Sequence, residues 1–255
     1  MRAKILRGCA RHAMKSWERD KLGTRQMTAM KLYDLTLADP ELRISPFCWA
    51  AKFALKHKNL DFETVPLGFT EKSDYPGKDN MTLPILEDGD KLIPDSRAIA
   101  DYLEKNYDGP ALIRSEGERA ACNFFSAWVG GHVFPALAPV SMVRVCALAR
   151  EEDQEYFRSS REERFGVSLE DLAKTPGLDE KLSAAYGTLS APLADAPFLG
   201  GTEPNLSDYF VFAPFQWRRC IAPDALNGAP APVAAWFERM LDLFDGYARK
   251  AKTAA

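Results

Sequence analysis

From Lys31 onward the chain alternates short apolar runs with stretches of helical period. Residues 31–37, KLYDLTL, predict a short strand, and the polar loop ADPELR follows it. Ser45 then stands where a helix takes its N-cap, and Pro46 where proline fits the first helical position. The helix is expected to run through Phe47, Ala50, Ala51, Phe53, Ala54 and Leu55. It closes on Lys56, His57 and Lys58, whose charge suits the C-terminal end of the dipole. LDFETVPL, residues 60–67, predicts a second strand, so the three elements make a βαβ unit. Beyond the polar stretch GFTEKSDYPGKDN, TLPILEDGDKLIPDS predicts two strands turning at Asp88 and Gly89. SRAIADYLEKNY then predicts a helix with Ile99, Tyr102 and Leu103 on one face. After Gly109 and Pro110 the pattern is helical, over 115–149, 152–173, 178–193, 205–220 and 231–250, with Pro/Gly-bearing connectors. The expected architecture is an α/β domain of order βαβ-ββα over 30–109 and an all-helical domain over 110–255.

Composition narrows the class. With 46% hydrophobic and 27% charged residues in 255, the chain has the make-up of an ordinary globular protein. No uninterrupted apolar run approaches the roughly 20 residues of a membrane-spanning helix, so no span is expected. Residues 1–29 carry eight Lys/Arg against Glu18 and Asp20, a net of +6 that leaves −9 for the rest of a chain whose total is −3. An acidic body argues against nucleic-acid binding, which needs clustered cations. The basic segment lacks a signal peptide's apolar core. It reads as a disordered tail or as an extension ahead of a true start at Met27 or Met30, the other readings being a transit peptide and a basic anchor. Cysteines 9, 48, 122, 146 and 220 are odd in number and scattered, which favours free thiols in a reducing cytoplasm. With histidines only at 12, 57 and 132, no metal site is expected.

Candidate chemistry starts at Ser45. Were it a cysteine, residues 45–48 would form the Cys-x-x-Cys spacing in which one thiol attacks and the second resolves. A serine there is by itself an N-cap, and Cys48, between Phe47 and Trp49, a small apolar residue facing the sheet.

The element order, with SPFCWAAKFAL opening the first helix, LPIL at the hairpin and DSRAIADYL opening the next helix, resembles the cytosolic glutathione S-transferases, whose first domain is thioredoxin-like and whose second is helical. The likeness covers about residues 31–250. GFTEK, YFRSSREERFGVSLEDL (156–172) and FLGGTEPNLSDYFVF (198–212) look most like the bacterial β-aryl etherase group and its fungal relatives.

The resemblance implies glutathione as cosubstrate and a role for each motif. Pro84 matches the family's cis-proline, which presents the backbone N–H and C=O of Leu83 to a cysteinyl peptide. Asp95 and Ser96 are expected to hold the γ-glutamyl end, Ser96 with the first-turn N–H groups taking the carboxylate and Asp95 the ammonium. Ser45 is expected to donate to the thiolate at the positive helix end. Lys72, with Lys78, is a candidate for the glycine carboxylate. Phe124, Trp128, Phe134, Arg144 and Trp217 are candidates for the electrophile pocket, although aromatic positions on helices are more often core. Asn205 and Asp208 fit a structural capping box. The expected activity is nucleophilic substitution on an apolar aromatic electrophile, including cleavage of β-aryl ethers, by a cytoplasmic homodimer. Two rivals stand beside it: a thiol reductase using Cys48, and a noncatalytic glutathione- or ligand-binding protein.

Overall fold

The computed structural model of the protein describes residues 30–77, 81–222 and 226–254. The expectations for residues 1–29 and Lys78 lie outside these. Strands β1 (Met30–Leu35), β2 (Phe62–Leu67), β3 (Ile85–Asp88) and β4 (Lys91–Pro94) form a four-stranded sheet ordered β2-β1-β3-β4. β1 and β2 are parallel, a pairing that needs a crossover, and helix α1 (Pro46–His57) supplies it. β3 runs antiparallel to both β1 and β4, and the chain then enters α2 (Ser96–Asn106). The βαβ-ββα order forms as the pattern predicts. Gly89 turns the hairpin at φ 63°, which a residue without Cβ adopts freely.

Every residue of α1 from Cys48 to Leu55 is buried, because the helix lies between the sheet and the helical domain. The burial includes Lys52. Its ammonium pairs with Asp34 of β1 at 2.8 Å and lies 3.6 Å over the Trp49 ring, so the charge is never left alone in the interior.

The helical domain holds α3 (Glu116–Trp128), a π turn at Val129–Val133, α4 (Phe134–Leu148), α5 (Glu151–Phe165), α6 (Leu169–Ala173), α7 (Leu178–Asp195), α8 (Leu206–Ile221) and α9 (Ala231–Gly246). Pro135 lacks the N–H that a continuing α-helix would direct at Gly131, and the wide turn falls there. Two expected helices are corrected. The segment 152–173 divides, because Gly166 turns left-handed at φ 73° and Ser168 caps α6 by accepting the Asp171 N–H. The helix expected to reach 250 leaves helical geometry at Leu243.

One helical run, Glu116–Leu148 (33 residues), is long and apolar enough, by length and composition alone, to cross a bilayer. Packing accounts for part of that apolarity, 39% of the apolar stretch being buried. Cys122, Val129, Val133 and Leu137 join the core, and α4 packs on α6, α7 and α8.

Two polar devices lock the domains together and the helical domain to itself. Asn205 and Asp208 form the capping box that opens α8, as expected. At the end of α1, His57 Nδ1 lies 2.5 Å from the Tyr209 hydroxyl of α8, and Nε2 lies 3.1 Å from the Ala111 carbonyl. A carbonyl only accepts, so Nε2 carries the proton and Nδ1 accepts from Tyr209. Burial lowers the His57 pKa below its ordinary 6.5. The unfolded chain therefore binds this proton more readily, and the neutral ring's contribution to stability is present above about pH 6.5 and lost as pH falls through the folded-state value. The thermal midpoint should drop between about pH 7 and about pH 5 more steeply in the wild type than in His57→Gln, which keeps a donor and an acceptor but cannot titrate. Equal slopes would remove His57 as the source.

Candidate functional site

Ser45 caps α1 at φ −61°, ψ 122°, and its Oγ accepts the Cys48 N–H at 3.3 Å. The approach is held rigid. Thr36 bridges to Arg43, its hydroxyl donates to the Asp39 carbonyl at 3.0 Å, and Trp49 Nε1 donates to the Arg43 carbonyl at 2.9 Å. Ser45 is only 5% exposed, and its face is to the cavity described below. A hydroxyl that accepts one hydrogen bond retains a proton to donate, so capping and donation are compatible. Pro46 has no N–H, and the Phe47 N–H has no partner among the described residues, so it adds a second donor at the helix mouth.

The Leu83–Pro84 peptide is cis, as the motif predicts. Neither the N–H nor the C=O of Leu83 is paired among the described residues, and the Pro84 carbonyl accepts the Asp95 N–H at 3.1 Å. Asp95 sits at φ 71°, ψ 133°, a left-handed conformation that costs a non-glycine residue about 1–3 kcal/mol and recurs at functional sites. Its Oδ1 accepts from Arg97 N at 2.8 Å and Ala98 N at 3.1 Å. Two of the first-turn N–H groups expected to take an anion, those of Arg97 and Ala98, are therefore already capped by Asp95, and what remains open is the Ser96 N–H, the Ser96 hydroxyl and the second oxygen of Asp95. Ser96 is 3% exposed and makes no side-chain hydrogen bond among the described residues.

Ser45, Lys72 and Leu83 line one cavity of about 1240 Å³ between the sheet domain and α4, α5 and α8. That exceeds the roughly 300–1,000 Å³ that holds one drug-sized ligand, so it has room for two. Pro84, Asp95 and Ser96 are not in its wall and join it through Leu83. Phe47 stacks on Phe134 at 5.9 Å, and Phe134 meets Trp217 at 6.1 Å, giving the cavity an aromatic side next to Ser45. Phe134 and Trp217 thus line it as expected, whereas Phe124, Trp128 and Arg144 do not. Phe124 is 61% exposed, Trp128 stacks on His132, and Arg144 donates to the Ile221 carbonyl.

GFTEK owes its shape to α5. Asp153, fully buried, accepts from Phe69 N, Thr70 N, Thr70 Oγ1 and Arg150 Nε at 2.6–3.2 Å, and Arg150 also pairs with Glu71. Burial pushes the Asp153 carboxyl up, but these donors outweigh it and leave it below the usual carboxylate range. The loop so anchored brings Lys72 and Tyr75 to the cavity. Lys72, itself exposed, donates to the Tyr156 hydroxyl at 3.0 Å. Tyr75 donates its hydroxyl proton to the Gly68 carbonyl, so that proton is not offered to a thiolate in the cavity, and burial raises its pKa to about 12.

Cys48 is fully buried and absent from the cavity wall, and burial holds its thiol well above its ordinary value. A neutral, enclosed thiol is a poor nucleophile.

Sequence reasoning missed Phe47 as a wall residue and the cations Arg161, Arg164 and Lys181, which also line the cavity. Phe157, Arg161 and Arg164 recur at helical spacing, and that periodicity was the available signal.

Family models for glutathione S-transferase match in both halves, the N-terminal domain over residues 40–111 and the C-terminal domain over 120–242. A glutathione S-transferase of Ceriporiopsis subvermispora, solved in complex with glutathione, is 27% identical with a TM-score of 0.67, covering 88% of this chain and 95% of its own. A glutathione transferase of Phanerochaete chrysosporium is 25% identical at a TM-score of 0.65, covering 88% and 94%. Glutathione S-transferase F14 of Arabidopsis thaliana is 26% identical over 221 residues, 80% of each chain.

Proposed function

The chain belongs to the cytosolic glutathione S-transferase superfamily, and from that premise we propose that it ionises the glutathione thiol at Ser45 and directs it at an apolar aromatic electrophile. The observation that carries this reading is the Ser45 hydroxyl at the mouth of α1, facing a cavity whose other wall is aromatic. The cysteinyl peptide pairs with the open backbone of Leu83 beside Pro84, and the γ-glutamyl end reaches Ser96 and the free oxygen of Asp95. Lys72 takes the glycine carboxylate once it leaves Tyr156. A thiol of pKa near 8.5 is only a few per cent ionised at neutral pH, and each unit of depression takes about 1.4 kcal/mol of preference for the anion. The Ser45 O–H, the Phe47 N–H and the positive end of α1 all favour that anion.

In the reaction the thiol proton passes to solvent, sulfur forms a bond to carbon, and the leaving group departs with the bonding pair. For an aryl halide that group is halide. For a β-aryl ether, the etherase-type reading, it is a phenoxide displaced from carbon beside a ketone, with the aromatic side of the cavity seating the ring. The protein acts in the cytoplasm as a homodimer. The burial of Cys48 counts against reductase chemistry.

A screen of glutathione conjugation over aryl ethers, aryl halides and hydroperoxides tests the reading. Turnover of an aryl ether or halide supports it, and glutathione binding with no turnover on the whole panel contradicts it. Ser96→Ala should weaken glutathione binding by roughly 1–3 kcal/mol in calorimetry, the cost of leaving a charged ligand group short of a hydrogen bond. Unchanged affinity would take Ser96 out of the site.

A further inference from the structure

The body of the protein is acidic, yet among the described residues every charged one lining the cavity is a cation: Lys72, Arg161, Arg164 and Lys181. They arise from separate elements. Lys72 lies in the loop after β2, Arg161 and Arg164 one turn apart on α5, and Lys181 in the first turn of α7. No carboxylate pairs with Arg161, Arg164 or Lys181 among the described residues, whereas Arg97, Arg114, Arg119, Arg150, Arg158 and Arg249 each pair with one. Arg161 is the telling one. Its guanidinium is half-buried, 4.4 Å from the Phe157 ring centre and 5.4 Å from that of Phe69, and its polar contacts are two hydroxyls, those of Ser160 and Tyr156, neither of which carries a counter-charge. Taking a guanidinium partly out of water without a counter-anion is costly, and burial accordingly lowers its pKa. Lys72, on the first domain and hydrogen-bonded to Tyr156, is left to glutathione.

We infer that the second ligand of this cavity is an aromatic carboxylate, its ring on the Phe47–Phe134 side beside Ser45 and its acid group met by Arg161, Arg164 and Lys181. The inference rests on the transferase reading for the identity of the cavity, and narrows the electrophile from an apolar aromatic to an aromatic acid. A neutral aromatic would use the same rings but leave the half-buried Arg161 without a counter-anion. The planar guanidinium forks of Arg161 and Arg164 suit the two oxygens of a carboxylate.

Binding can be read without turnover. Calorimetry with naphthoate and with its methyl ester compares an anion with a near-isosteric neutral ligand, on the full chain with glutathione present. The wild type should bind naphthoate more tightly than the ester, and the preference should shrink as salt is added. Arg161→Gln combined with Arg164→Gln should weaken naphthoate roughly 10- to 100-fold, the range for losing hydrogen bonds to a charged group. Ester affinity, which also reports a folded cavity, should stay within about twofold. Lys181→Gln, at an exposed position, repeats the test with no buried packing at stake and should shift naphthoate alone. The proposal is overturned if the wild type binds the two ligands equally, if the variants weaken both alike, or if they weaken glutathione instead, which would assign these cations to the tripeptide. Failure of the transferase reading looks different: glutathione would not bind the wild type, while naphthoate would still be preferred over its ester.

Discussion

Replacing Ser45 by alanine should lower glutathione conjugation by roughly 10- to 1,000-fold while leaving the Kd for glutathione nearly unchanged, the range for removing one donor to a resident or developing anion. The separation of the two effects follows from where the contacts lie. Affinity is assigned to Leu83, Asp95, Ser96 and Lys72, none of which touches Ser45, whereas the sulfur alone meets its hydroxyl. Alanine also removes the cap that accepts the Cys48 N–H, a loss worth about 1 kcal/mol of stability. Ser45→Asp is the control for that second effect. It restores a cap acceptor but, ionised, has no proton to donate to the sulfur, so it should recover the thermal midpoint but not the rate. Conjugation at the wild-type rate in Ser45→Ala would make Ser45 a helix cap only, and would move the search for the donor to the Phe47 N–H and the loop amides between Ala38 and Ile44.

The largest effect on stability is expected at Asp208. Its carboxylate, fully buried, accepts from Leu199 N at 2.8 Å, Gly200 N at 2.9 Å, Asn205 N at 3.1 Å and Trp236 Nε1 at 2.9 Å. One side chain therefore ties the 199–200 turn, the start of α8 and the middle of α9 together. Asp208→Ala strands four donors away from water. At about 1 kcal/mol each, the loss is roughly 4 kcal/mol, or on the order of 10 °C in the thermal midpoint for a chain of this size. Because α8 carries Trp217 to the cavity and Tyr209 to His57, conjugation should fall with the folded fraction. A midpoint within about 2 °C of wild type would show that these donors find other partners.

How far the sequence carried the fold depended on whether a signal was local. Ser45 before Pro46, the Asp88–Gly89 turn and the Asn205–Asp208 box are each decided within four residues, and each forms as expected. The helix expected over 152–173 failed because its polar periodicity continues across Gly166, where a left-handed residue and a fresh cap at Ser168 end one helix and start another. The site divided along the same line. The residues assigned to glutathione, Ser45, Leu83 and Lys72, come from short motifs on the first domain, and all three line the cavity. The second half of the site is assembled across domains, from Phe47 on α1, Phe134 on α4 and Arg161 on α5, residues far apart in sequence that only the packing of the two domains brings to one cavity. Phe124 and Trp128 were good candidates by type and poor ones by direction, since a helix shows the same residues to the core or to solvent according to its neighbours. The apolar run through α3 and α4 was legible as apolar, but that part of it walls a cavity was not.

The account turns on whether Ser45 holds the glutathione sulfur as an anion. The ultraviolet absorbance of the bound thiolate, titrated with pH in the wild type and in Ser45→Ala, measures this without any electrophile. The account predicts an apparent thiol pKa clearly below about 8.5 in the wild type and a rise toward that free value in the variant, in step with the loss of conjugation rate. The same depressed titration in both proteins, or a bound thiol titrating at the free value in the wild type, would contradict it.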